Sequence, residues 1–152
     1  MRNENLIVRC PGMENGKFHI DHTGRGRDLS PDLILENLSP EAKTLAVTLE
    51  DMSHPIKGFT HWVIWNLPAA DRIPGAIPAG GTVPAGGAQG VAYGLHRYAG
   101  PKPPKGRTHT YRFTVYALDR ALDLHSRARK KTFLRAAEGH ILQSGNILGE
   151  FE

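Results

Sequence analysis

Cysteine is almost absent: Cys10 is the only one in 152 residues. An internal disulfide and a cysteine-built zinc site are therefore excluded, and the chain fits a reducing compartment. Long apolar runs are missing as well. No segment approaches the ~20 apolar residues of a membrane-spanning helix, and the opening MRNENLIVRCPG has no apolar stretch followed by a small-residue cleavage site. The expectation is a cytoplasmic protein with no stable membrane insertion. Neither the G-x-S-x-G of a serine-hydrolase elbow nor the G-x-x-x-x-G-K-[ST] of a phosphate loop occurs. Acidic residues fall only slightly short of basic ones, 15 against 19, for a net charge of +4. So mild a field favours anionic ligands without pointing to nucleic acid.

Turn chemistry is what the chain has in plenty. Its 17 glycines and 11 prolines suit a mainly β fold of short strands, and its length makes one domain, 1–152, with room for a sizeable core. Short edge strands are expected at 6–8 and 17–20, on either side of Pro11, Gly12, Asn15 and Gly16. The segment HTGRGRDLSPDLILENLSP reads as a loop, a short strand around Leu33 and Leu35, and a turn; its Arg25 and Arg27 could meet an anion, with a solvated loop the favoured reading. In TLAVTLED, residues 44–51, Leu45, Val47 and Leu49 alternate with Ala46 and Thr48, the period of a buried strand ending at Asp51. FTHWVIWNL, residues 59–67, is aromatic and β-branched almost throughout and should be a central strand, with His61 on the face of Val63 and Trp65. Residues 68–90 carry no periodicity and are expected to form an ordered but mobile surface loop beside a pocket or at a subunit contact. A helix is expected over 127–143, with Phe133, Ala137 and Ile141 at four-residue spacing, stopped by Ser144 and Gly145 before a last short strand at 146–151. The basic run RARKK at its start is unfavourable to the helix dipole and reads as a solvated face.

Chemistry concentrates in YAGPKPPKGRTHTYRFTVYALD, residues 98–119. A stiff Gly/Pro loop, with Pro101, Pro103 and Pro104, leads into a strand opened by His109 and Tyr111, which share one face with Phe113 and Val115. A second strand begins with His61 and a third ends in Asp51. Three polar groups at strand ends can converge on one mouth, or each can be satisfied locally by backbone.

TLEDMSHP, THWVIWNLPA and GPKPPKGRTHTYRFTVYALD, in that order, resemble the motifs of the phosphatidylethanolamine-binding protein family in its bacterial and archaeal, Raf-kinase-inhibitor-like branch. The segments DLSPDLILENLSP and AAEGHILQSGNILGEFE are similar to that branch too, so the resemblance spans nearly the whole chain. It departs from the family's D-P-D-x-P at Met52, Ser53 and His54, which removes one acidic group, and carries Lys102 where the branch has Cys. The resemblance implies a β-sandwich of a large central sheet and a smaller sheet, with a short helix near the carboxyl terminus. It also implies a ligand pocket lined by Asp51, His61, Gly100, Pro101, Lys102, Pro103, His109 and Tyr111, with no cofactor and a homodimeric assembly.

Two imidazoles and a phenol can donate to an oxyanion, and Asp51 can orient a histidine. The expected function is binding of an anionic small molecule or phosphorylated headgroup, with a regulatory protein partner permitted and no nucleic acid. The alternative is a hydrolase using an Asp–His acid/base pair, for which Ser53 is the one conceivable nucleophile. A metal held by His54, His61 and His109 is a further alternative, though the spacing matches no established ligand pattern.

Overall fold

The computed structural model describes residues 6–152. In chain order its strands are β1 (Ile7–Arg9), β2 (Met13–Glu14), β3 (Lys17–Phe18), β4 (Leu33–Glu36), β5 (Thr44–Asp51), β6 (Thr60–Pro68), β7 (Arg72–Ile73), β8 (Ala88–Gln89), β9 (His109–Leu118) and β10 (Ile141–Phe151). One helix, α1 (Lys130–Ala137), precedes the last strand. The protein is mainly β, with a small sheet β1-β4-β7 and a large one β2-β3-β10-β9-β5-β6-β8.

The alternating strand TLAVTLED lies inside the large sheet between β9 and β6, and all eight of its residues are buried. Its two faces serve two cores, as a period of two requires. Leu45, Val47 and Leu49 join Trp62, Ile64, Tyr111, Phe113 and Val115, and meet Val8, Leu33, Leu35 and Ile73 of the small sheet. On the other face Ala46, Val63, Trp65 and Leu118 pack against Phe133 and Ala137 of α1. Phe133 stacks with Trp65, centroids 6.0 Å apart, and meets Tyr116 edge-on at 5.6 Å. Lys130 fastens the start of the helix to the buried Glu50, which also takes a hydrogen bond from Arg112 at 3.0 Å.

The helix is shorter than the spacing predicts. Gly139 adopts φ +82°, a left-handed conformation open to glycine at little cost, and the chain turns back there. Residues 141–145 are therefore strand, and β10 pairs with β9 from Ile141 opposite Leu118 to Phe151 opposite His109. Gly145 is a close-approach residue inside β10, because a Cβ there would lie 2.1 Å from the Leu6 carbonyl oxygen. Ile141 fitted both periods, so spacing alone could not place the boundary.

The 68–90 segment also differs from expectation. It contributes β7 to the small sheet and β8 to the edge of the large one, and is held from inside by Gln89. That fully buried amide donates to the carbonyls of Pro78 and Gly80 at 2.9 Å and accepts from Trp62 Nε1 at 2.7 Å. The segment leaves the far end of β6 and returns alongside it, Ala88 opposite Trp65 and Gln89 opposite Ile64.

Phe113 is fully buried, between Phe18 and Tyr98. Phe113→Ala is expected to lower the unfolding free energy by about 3–5 kcal/mol. Leu148→Ala, at a side chain 53% exposed, should change it by less than ~0.5 kcal/mol. Urea titration of both variants checks the assignment of core and surface.

Candidate functional site

β5 runs antiparallel to both β6 and β9, so the end of β5 lies beside the beginnings of its neighbours. Asp51 pairs in register with Tyr111, and His109 stands two residues further along the same face. His109 Nδ1 donates to Asp51 Oδ2 at 2.7 Å, and Asp51 Oδ1 accepts the Ser53 N–H at 2.9 Å. Both carboxylate oxygens are engaged, and Asp51 is only 4% exposed. Ser53 itself is pinned, its Oγ accepting the Thr110 N–H at 2.9 Å.

His61 reaches the site through an irregularity. Leu49 pairs with Trp62 but Glu50 pairs with Thr60, so His61 is the extra residue of a β-bulge. The bulge turns its ring away from the face of Val63 and Trp65, where strict alternation places it. The imidazole packs edge-on to Tyr111, centroids 5.5 Å apart, and its Nδ1 donates to the Ala99 carbonyl at 2.7 Å. Burial holds this imidazole below its ordinary pKa, and the Ala99 carbonyl opposes that effect. Tyr111 is buried too, and burial raises its phenol well above the usual range while the Lys102 backbone works the other way.

The Gly/Pro loop is fixed by a second loop, residues 23–28. Gly24 N–H donates to the Pro101 carbonyl at 2.8 Å, the Arg25 guanidinium to the Pro103 carbonyl, and Gly100 N–H to Asp28 Oδ1 at 2.8 Å. Asp28 is in turn paired with Arg97 at 3.0 Å. A Cβ on Gly100 would sit 2.3 Å from the His22 carbonyl oxygen, so the close approach of the two loops requires glycine there. Pro101 and Pro103 are buried; Lys102 is exposed, with its stem lying against Gly24.

The residues read from sequence thus fall together around Asp51, His61, His109 and Tyr111, with the 100–103 loop as a wall. His54 does not join a metal cage: its ring stacks on Phe59 at 3.9 Å, and its Nδ1 accepts the Ile56 N–H. Among the described residues no three His, Cys, Asp or Glu side chains form a metal-binding group. Two neighbours of the site stand apart from that reading, one missed and one read chiefly as solvated. Tyr93, whose ring lies 5.1 Å from that of His61, is an isolated aromatic in a Gly-rich stretch and gave no periodic signal. Arg25, read as solvated, is half-buried against the loop.

Gly100→Ala should cost about 1–3 kcal/mol of stability by overpacking the junction of the two loops; wild-type stability in chemical denaturation would contradict that geometry. The His61 environment predicts a pH effect. With its folded pKa depressed, the unfolded chain takes up the proton more readily, so the wild type loses stability as pH falls through ~6.5. The stability difference between wild type and His61→Gln should shrink from pH 7.5 to pH 5; a difference independent of pH would contradict the depressed pKa.

The sequence model of a family described as phosphatidylethanolamine-binding protein matches residues 11–152. A UPF0098 protein of Pyrococcus abyssi is 40% identical over 135 residues, 86% of this chain and 76% of its own length. The UPF0098 protein YbhB of Escherichia coli is 40% identical over 98 residues, 62% of each chain. Among solved structures, CT736 of Chlamydia trachomatis, described as a homolog of such a binding protein, aligns over 99% of both chains with a TM-score of 0.84 and 25% identity. YbcL of Escherichia coli shares the fold over 97% of this chain and 98% of its own, with a TM-score of 0.85 and 24% identity.

Proposed function

The chain belongs to the phosphatidylethanolamine-binding protein family, and from that premise we propose that it binds a small phosphate-bearing anion at the mouth formed by Asp51, His61, His109 and Tyr111. Family membership supports a ligand-binding role in general. One observation supports a ligand at this place: both imidazoles are oriented through Nδ1, His109 by Asp51 and His61 by the Ala99 carbonyl, leaving each Nε2 for a ligand.

That orientation decides the chemistry. A neutral imidazole has one N–H, and in both histidines it is already committed, so the free Nε2 can only accept. Donation to an oxyanion requires a second proton. Burial resists that proton on His61, whereas a protonated His109 has the Asp51 carboxylate at 2.7 Å as counter-ion. The charged contact to the anion therefore falls to His109, and a charge-assisted bond is about twice as strong as a neutral one. The Tyr111 hydroxyl adds a second donor.

The hydrolase alternative gains no support from the same geometry. Ser53 Oγ accepts from Thr110, and Cys10 is buried in the inter-sheet core, its thiol pushed up to about 11 mainly by burial. Neither presents an activated nucleophile.

His109→Ala should lose a charged hydrogen bond of about 1.5–3 kcal/mol, or roughly ten- to a hundredfold in affinity. Calorimetric titration of both proteins with inorganic phosphate at pH 7.5 tests this. Equal affinities for wild type and His109→Ala would place the ligand elsewhere.

A further inference from the structure

The anion reading leaves a deficit of charge. Asp51 is a buried carboxylate at the floor of the mouth, and a protonated His109 does no more than cancel it. His61 is kept neutral by its surroundings, and Asp28 is occupied by Arg97 and the Gly100 N–H. The floor therefore carries zero net charge at best, which is a poor receptor for an ion with two negative charges. Lys102 is exposed, so solvent and salt screen it.

Arg25 is different. It is half-buried, its guanidinium donates to the carbonyl of Pro103 in the wall of the mouth, and its charge reaches the Tyr111 phenol. Its Nε is shut off from solvent and has no acceptor among the described residues. A guanidinium is always protonated, is more weakly hydrated than an ammonium, and presents a planar fork that matches two phosphate oxygens. One arm of this fork is fixed on the Pro103 carbonyl, so the group is held near the mouth with donor capacity to spare.

Resting on the phosphate reading above, we propose that Arg25 is the charge-determining residue of the site, and that it makes the mouth select a dianionic phosphomonoester over a monoanionic phosphodiester. A monoester above pH 7 carries nearly two charges and three terminal oxygens, enough to engage His109, Tyr111 and Arg25 together. A diester has one charge and two unesterified oxygens. It satisfies His109 and Tyr111 but leaves the Arg25 charge without a matching oxygen.

Calorimetric titration at pH 7.5 with phosphoethanolamine, a monoester, and glycerophosphoethanolamine, a diester, tests this on the full chain. The wild type should bind the monoester at least about tenfold more tightly. Arg25→Gln should weaken the monoester by roughly tenfold and the diester by much less, removing most of the preference. Arg25→Lys should recover part of it, and Arg27→Gln, at an exposed neighbour, should leave it intact. Thermal denaturation of each variant accompanies the titrations.

Equal loss of both ligands in Arg25→Gln, with a lowered Tm, would reduce Arg25 to a support for the loop and overturn the proposal. Unchanged selectivity in a stably folded Arg25→Gln would overturn it as well, while His109→Ala still weakening both ligands would leave the phosphate reading standing. Failure of the wild type to bind either ester would overturn both.

Discussion

Because β5 is antiparallel to both of its partners, the register that pairs Asp51 with Tyr111 and Leu49 with Trp62 does more than build the core. It brings one strand's carboxyl end against two strands' amino ends, and every group at the mouth descends from that placement. A slip of one residue in β9 would send His109 and Tyr111 to the helix face and bring Thr110 and Arg112 to the mouth, since successive side chains alternate. The apolar alternation of Leu45, Val47 and Leu49 against Phe113 and Val115 resists such a slip, because it would also move the aromatic side chains out of the inter-sheet core. Core packing and site geometry are thus one constraint.

A carboxylate as deeply placed as Asp51 is costly to bury unless it is fully hydrogen-bonded. The backbone amide of Ser53 and the imidazole of His109 meet that need, and in doing so they fix which ring nitrogen of His109 faces a ligand. The same principle acts at His61 with a neutral acceptor, the Ala99 carbonyl, in place of a charged one. Two histidines with the same orientation therefore have different partners, one a carbonyl and the other a carboxylate. This asymmetry makes His109 the charged contact of the proposed site, and it leaves the balance of charge to Arg25.

The strands that hold the candidate site were legible in the sequence. Alternation located 44–51, the aromatic run located 59–67, and the motifs brought Asp51, His61, His109 and Tyr111 into one site. What escaped depends on tertiary context. The face of His61 is set by a bulge created only when β6 meets β5. The end of the helix is set by Gly139, while Ile141 satisfies helical and extended spacing equally well. The place of Arg25 follows from two loops, distant in sequence, that meet where Gly100 approaches the His22 carbonyl. A period can be read along one segment, but the contact of two aperiodic segments cannot.

In the proposed site the Asp51–His109 pair takes up the anion through a charged His109, with His61 remaining neutral. Histidine side-chain 1H–15N correlation spectra at pH 7.5, recorded with and without saturating inorganic phosphate, address it atom by atom. With phosphate bound, His109 is expected to carry protons on both Nδ1 and Nε2, while the His61 pattern stays that of a neutral ring protonated at Nδ1. A His109 ring that is neutral at saturation, or a proton taken up by His61 in its place, would contradict the account.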